Sequence, residues 1–320
     1  MSASDYPGVV ILGPTASGKT GLGMALAARF HGEIISCDAL QVYRCMDIGT
    51  AKATPAERDR VPHHMLDLRN PGQDFSAGEY QRSARQSLNA VRGQGKLPLV
   101  VGGTGFYLRA LIDGLFEGPG RSDELRVRMR QIIELRGPGC LYRALRRVDP
   151  ETSARIAPAD SARIIRAYEV YLLTGKPMSW WQGQPRDTLL GYRWLRLGIE
   201  TPRPLLYDRI NARVTDMFDK GFIEEVRGLL ERFPRDCQAF KAIGYREAAA
   251  YLEGKLSLEQ AIEQTQQESR RYAKRQMTWF RSDSSVFWLD GALDPETLEA
   301  EAARLVADFL AKEEWRQPSH

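Results

Sequence analysis

Gly13-Pro14-Thr15-Ala16-Ser17-Gly18-Lys19-Thr20 satisfies G-x-x-x-x-G-K-[ST] at every position and decides the reading of the chain. The apolar run Val9-Val10-Ile11-Leu12 ahead of it has the composition of a buried strand. Leu22, Met24, Ala25 and Leu26 behind it continue as a helix. In that setting Gly13 and Gly18 let the backbone curl until successive N–H groups converge on phosphate oxygens at the positive end of the helix. Lys19 adds a point charge, and the Thr20 hydroxyl can hold a Mg²⁺ ion bound to the same phosphates. Pro14, Thr15, Ala16 and Ser17 complete a polyphosphate cradle.

Working outward, Glu33-Ile34-Ile35-Ser36-Cys37-Asp38 reads as a second short strand ending on a carboxylate. Asp38 thus falls outside the carboxyl end of a strand, where function concentrates in open α/β sheets. Its spacing equally suits an N-cap for the turn Ala39-Leu40-Gln41-Val42-Tyr43. Leu97 to Gly105 is a third buried strand running into the glycine-rich corner Gly102-Gly103-Thr104-Gly105, with Phe106 to Leu111 opening a helix. Thr104 sits at that corner, again either functional or a cap. No aspartate ends this strand, so the Walker-B carboxylate of a nucleotide hydrolase is missing. The pair His63-His64 reads as a packed or loop-bracing element, because adjacent side chains cannot easily share one metal.

From Gly118-Pro119-Gly120 to about residue 190 the pattern turns helical and arginine-rich, with helices expected over 124–136, 140–147 and 161–174, broken at Gly137-Pro138-Gly139 and Asp149-Pro150. The expected division is a catalytic core of residues 1–119 and 191–320 around an inserted helical subdomain of residues 120–190. Between Arg121 and Asp187 stand thirteen Lys/Arg against eight Asp/Glu, an excess larger than the formal +4 of the whole chain. The basic surplus therefore lies in the insertion. In Asp160-Ser161-Ala162-Arg163-Ile164-Ile165-Arg166, Ile164, Ile165, Tyr168 and Leu172 supply a buried face and leave Arg163 and Arg166 to point elsewhere.

A strand follows at Trp194 to Ile199, then a helix from Arg203 to Lys220, on which Arg209 and Arg213 share one face at i, i+4. A further helix over 258–281 interleaves Arg270, Arg271, Lys274, Arg275 and Arg281 with Tyr272, Trp279 and Phe280, a mix suited to phosphate contacts and base stacking. Val286 to Asp290 reads as the last strand, before a short polar helical tail. The chain of 320 residues is 43% hydrophobic and 27% charged, ordinary for a globular protein able to bury its own core. Cys37, Cys45, Cys140 and Cys237 form no C-x-x-C pair, which argues for free thiols in a reducing compartment. The first residues lack the pattern of a secretory leader, and no run approaches a membrane span, so a cytoplasmic setting is expected.

Five stretches in this order resemble the tRNA dimethylallyltransferase (tRNA isopentenyltransferase) family: the phosphate loop; Asp38 to Tyr43 with Met46 to Lys52; Gly102 to Tyr107; Ile243-Gly244-Tyr245-Arg246-Glu247; and Tyr272-Ala273-Lys274-Arg275-Gln276. The resemblance implies a P-loop NTPase-like parallel sheet flanked by helices, in a monomer with no obligate protein partner and no membrane partner. The implied reaction moves dimethylallyl from dimethylallyl diphosphate to N6 of adenosine 37 in tRNAs that read codons starting with U. It breaks C–O rather than P–O, which fits the missing Walker-B group.

Carried onto this chain, the resemblance makes Asp38 the group that orients the amine and takes its proton, with Thr104 beside it, Lys19 and Arg213 on the departing diphosphate, and Mg²⁺ held through Thr20. Arg209 joins residues 13–20 in the diphosphate site. The tRNA would be gripped by Asp38, Ala39, Leu40, Gln41, Thr104, Arg126, Asp160, Ser161, Ala162, Arg163, Ile164, Arg166, Lys241, Gly244, Tyr245, Arg246 and Arg275, mainly through phosphates. The chain departs from the family pattern at Ala39, where serine is usual, and at Ala162, where glutamine is usual. Each departure removes a hydrogen bond that a tRNA contact would use.

Overall fold

A computed structural model describes residues 5–137 and 139–312, leaving Pro138 of the expected break outside the described residues. The chain forms two compact units, one of Met1–Ile112 with Leu189–His320 and one of Asp113–Thr188.

The first unit opens with β1 (Tyr6–Leu12), α1 (Lys19–Arg29), β2 (Gly32–Cys37), α2 (Pro55–Arg60), β3 (His63–His64), α3 (Ala77–Gly93), β4 (Leu97–Gly102) and α4 (Gly105–Ile112). The second unit supplies α5 (Asp123–Arg136), α6 (Gly139–Val148), α7 (Pro150–Ala154), α8 (Ser161–Thr174) and α9 (Met178–Gln182). The first unit then resumes with β5 (Tyr192–Glu200), α10 (Arg203–Asp219), α11 (Phe222–Leu230), α12 (Tyr245–Leu252), α13 (Leu258–Phe280), β6 (Val286–Asp290) and α14 (Pro295–Ala311).

The six strands form one sheet in the order β3-β2-β4-β1-β5-β6, with every pairing parallel. Such a sheet must be covered on both faces, which is why its strands are near-continuous Val/Ile/Leu runs. Val9, Ile11, Ile34, Leu99 and Leu197 pack in one core with residues of α1 and α14, while Val10, Leu12, Ile35 and Val100 pack in the other with residues of α3, α4 and Phe280. Leu12 pairs with Gly102 and Gly198, and Gly102 also pairs with Cys37. The loops that follow β1, β2, β4 and β5 therefore leave the sheet at one level.

One expectation needs correction. The tail is neither short nor polar: α14 has 17 residues and buries Leu298, Ala302, Ala303, Val306 and Phe309. Its capping Asp294 and its apolar stripe form an amphipathic helix that the flanking glutamates obscured. The two histidines form β3, paired to Ile34 and Ile35, a strand too short to carry any periodicity. They brace: His63 Nδ1 lies 2.7 Å from the Val61 carbonyl, and His64 Nε2 2.6 Å from the buried Glu33 carboxylate, which Lys96 also meets.

The second unit has its own core of Met129, Leu141, Leu145, Ile164, Ile165, Val170 and Met178. Among its described residues there is no strand longer than the single bridge between Phe116 and Arg186.

Candidate active site and basic surfaces

The phosphate loop runs from Gly13 into α1. Gly18 takes φ +90°, open to glycine and costly for other residues, and Ala16 takes φ +63°. A Cβ on Gly13 would press on Ser17 Oγ at 2.6 Å, so the tight turn requires glycine there. The first intrahelical bond, Leu22 N–H to the Gly18 carbonyl, leaves the amides of the first turn of α1 without helical partners. Buried Ser17 Oγ also lacks a hydrogen-bond partner in the protein. This donor-rich concavity fits a diphosphate. Lys19 Nζ rests on the Pro14 carbonyl at 3.1 Å. Burial, reinforced by the Arg213 guanidinium and opposed by the Asp38 carboxylate, brings the Lys19 pKa down to about 8.

Asp38 fills the capping role its spacing allowed. Its Oδ1 accepts from Leu40 N–H at 2.8 Å and from Gln41 N–H at 3.3 Å, fixing the turn. Thr104 joins the residues on either side of it: Thr104 N–H donates to the Cys37 carbonyl at 3.2 Å, and Ala39 N–H donates to Thr104 Oγ1 at 3.1 Å. The Thr104 side chain is thus spent across the site and does not cap α4. Burial pushes the Tyr272 phenol up to about 12, with the Asp38 charge adding to the shift and a hydrogen bond to Thr104 opposing it.

Arg209 and Arg213 part company despite sharing a face. Arg213 Nη1 donates to Thr15 Oγ1 at 3.2 Å inside the phosphate loop, and burial lowers its pKa while Asp38 opposes that shift. Arg209 Nη1 donates instead to the Gly291 carbonyl at 2.9 Å after β6, and so is tied to a different loop from Arg213. The structure therefore gathers Asp38, Thr104, Lys19 and Arg213 around one loop edge. A groove of about 600 Å³ beside α10 and α13, lined by Thr201, Tyr207, Lys274 and Trp288, includes none of these four.

For the expected tRNA contacts the outcome is divided. Ala39, Leu40 and Gln41 are part-exposed, and Lys241, Arg246 and Arg275 are exposed. Tyr245 is fully buried, its hydroxyl donating to Glu225 at 2.6 Å, and Gly244 is buried at φ +87°, so neither offers a side chain to RNA. Glu225 also accepts from the N–H groups of Asp47 and Ile48, at 2.9 and 2.6 Å. The Ile243–Glu247 stretch thus helps hold the loop after Asp38 in shape.

In the second unit, Ile164 is fully buried in the core, and Arg126 and Arg166 turn inward to Glu169, itself fully buried. Arg126 Nε and Nη2 meet the two Glu169 oxygens at 2.8 and 2.9 Å, and Arg166 Nη1 meets Oε2 at 2.7 Å. Burial alone would raise the Glu169 pKa; the two guanidiniums and the Ser122 N–H overcome that and bring it down to about 2. Arg126 and Arg166 are thereby corrected from free basic groups to structural ones. Asp160 caps α8 by accepting from Arg163 N–H, Ser161 is part-buried, and Ala162 and Arg163 are exposed.

The family model described as IPP transferase matches residues 41–283. The chain belongs to the IPP transferase family. Among relatives, it is 52% identical over 299 residues to the tRNA dimethylallyltransferase of Koribacter versatilis, an alignment covering 93% of this chain and 97% of that protein. Among solved structures, the full-length tRNA isopentenylpyrophosphate transferase of Bacillus halodurans matches with TM-score 0.72 and 40% identity over 97% of this chain and 98% of that one. A eukaryotic dimethylallyltransferase captured acting on tRNA matches with TM-score 0.79 and 27% identity, over 98% of this chain and 81% of that one. The phosphate-loop fold is thus shared across this family of IPP transferases.

One residue that bridges two of these loops was passed over in the sequence. Gln276 was legible only as the last position of a matched stretch, since a lone glutamine on a charged helix reads as solvated. In the fold it is buried and reaches two loops of the site.

Proposed function

We propose that this chain transfers the dimethylallyl group from dimethylallyl diphosphate to N6 of adenosine 37 in tRNAs reading codons that start with U, releasing diphosphate. The observation that carries the reading is Asp38 set between two residues that Thr104 binds, at the edge of a phosphate loop whose two cations, Lys19 and Arg213, both feel the Asp38 charge. Asp38 Oδ1 is used by the turn, so Oδ2 is the oxygen presented to the exocyclic amine. The N6 lone pair forms the new C–N bond as the C1–O bond of the allylic diphosphate breaks. The N6 proton passes to Asp38. Charge developing on the leaving diphosphate is met by the loop amides, Lys19 and Arg213.

Among the described residues no cluster of His, Cys, Asp and Glu could by itself hold a metal. The exposed Thr20 hydroxyl is a single hard-oxygen donor, which suits Mg²⁺ carried on diphosphate oxygens and water. Such an ion would lower the cost of the leaving negative charge.

For tRNA, the reading retains Ala39, Leu40, Gln41, Lys241, Arg246 and Arg275 in the first unit and the exposed turn of Ala162 and Arg163 in the second. No helix among the described residues is long and apolar enough to cross a membrane. The reading sets the reaction in the cytoplasm, in a monomer.

The test is transfer of labelled dimethylallyl to a synthetic anticodon stem-loop, comparing wild type with Asp38→Asn. Wild type labels the stem-loop, and the variant is about 10²-fold slower, the low end for loss of a general base. Undiminished transfer by Asp38→Asn removes Asp38 from its role. A wild type that instead moves phosphate from ATP to a small molecule makes the protein a kinase.

A further inference from the structure

On α13, Gln276 is 7% exposed and carries two hydrogen bonds that run in opposite directions. Its Oε1 accepts from the Thr15 N–H of the phosphate loop at 3.0 Å, and its Nε2 donates to the Gly103 carbonyl at 2.8 Å. One partner can only donate and the other can only accept, so a carboxamide satisfies both where a carboxylate, an amine or an apolar side chain cannot.

Each end continues into the site. Thr15 also holds Arg213 through its hydroxyl, and Gly103 precedes Thr104, which clasps the residues flanking Asp38. The two glycines of the Gly103-Thr104-Gly105 corner owe their presence to this helix. A Cβ on Gly103 would collide with Gln276 Nε2, and one on Gly105 with the Trp279 ring.

We propose that Gln276 is a positioning residue that sets the distance between the loop receiving the diphosphate and the corner receiving the amine. The inference rests on the transferase reading above. It contacts neither substrate; its Thr15 bond occupies an amide that the diphosphate then does not use. What it controls is the approach of N6 to C1, for which reacting atoms must lie about 3–3.5 Å apart and a displacement of about 1 Å can cost 10²-fold.

The test uses the full chain in single-turnover transfer, with Gln276→Met and Gln276→Glu, alongside separate equilibrium binding of the stem-loop and of an unreactive thiolo analogue of dimethylallyl diphosphate. Gln276→Met should slow transfer about 10- to 100-fold while either dissociation constant changes less than about threefold. Gln276→Glu should be as slow near about pH 8 and recover, relative to wild type, as the pH falls toward about 5.5, because a protonated carboxyl both accepts and donates. That recovery is a signature no general loss of packing produces, and it stands even if Gln276→Met melts below the assay temperature.

The inference is overturned by transfer within threefold of wild type in both variants, by loss of analogue binding in step with rate, or by a folded Gln276→Glu with no acid recovery. A wild type without transfer overturns the functional reading and this inference together; the other outcomes overturn this inference alone.

Discussion

Arg213 and Arg126 both sit on helices and both read in the sequence as free cations, yet one faces a phosphate loop and the other a buried glutamate. Among the described residues no carboxylate is bonded to Arg213; its hydrogen bond goes to Thr15, and the charges coupled to it are Lys19 and Asp38. Two cations beside one carboxylate leave a positive surplus, which a folded protein tolerates where an anion is to be received. Arg126 and Arg166 each make a direct ion pair with Glu169, so both guanidiniums are engaged within their own unit. A buried carboxylate distinguishes a structural arginine from a ligand-facing one; the partner of Arg166 stands at i, i+3, but for Arg126, 43 residues from Glu169, nothing in the local sequence reports it.

The contrast can be broken most directly at Glu169. Glu169→Ala should destabilise the second unit by about 3 kcal/mol, the low end for breaking a buried ion pair, since both guanidiniums are part-exposed and can turn to water. Hydrogen exchange along α5 and α8 measures it. An unchanged exchange pattern with weakened stem-loop binding would mean that these arginines serve RNA after all.

A slightly smaller effect sharpens the other side. Arg213→Ala should lower kcat/KM for dimethylallyl diphosphate about 10²-fold, a loss comparable to one oxyanion donor, whereas Arg209→Ala, bonded to Gly291, should change it less than about threefold. Equal losses would erase the distinction drawn between the two.

The smallest effect is in pH. Because the Lys19 pKa is brought down to about 8, the charged form that a diphosphate needs is full below that value and is lost as the pH rises through it. kcat/KM for the diphosphate should therefore fall about tenfold per unit above about pH 8, since that ratio titrates with the free enzyme. A profile flat to about pH 10 would place the lysine in an ordinary aqueous setting.

What was legible in the sequence follows the same division. The strands β1, β2, β4, β5 and β6 announce themselves as apolar runs, and the phosphate loop, Asp38 and Thr104 could be placed because backbone geometry at a strand end depends on neighbours in the chain. Arg213 was named, but Arg209 could not be separated from it, because their difference lies in Thr15 and Gly291, distant in sequence. Tyr245 sat in a stretch matched to a family and was taken for a tRNA contact, as was Ile164 although its helical spacing put it on the buried face. The burial of Tyr245 is completed by Phe222, which no local pattern shows. Gln276 was invisible for the same reason, its partners lying 261 and 173 residues away.

The strand order carries a consequence for how the chain is made. β1 holds the phosphate loop and lies between β4 and β5, with Val9 opposite Leu99 on one side and Leu195 on the other. The whole helical unit is encoded between those two neighbours. At about 5–20 residues per second, a ribosome that has finished β1 needs roughly 10–40 s to deliver its second partner. Until then β1 presents a bare apolar edge, the kind of edge that recruits other chains. The helical unit, with a core of its own, can fold in that interval, before the second neighbour of β1 is made.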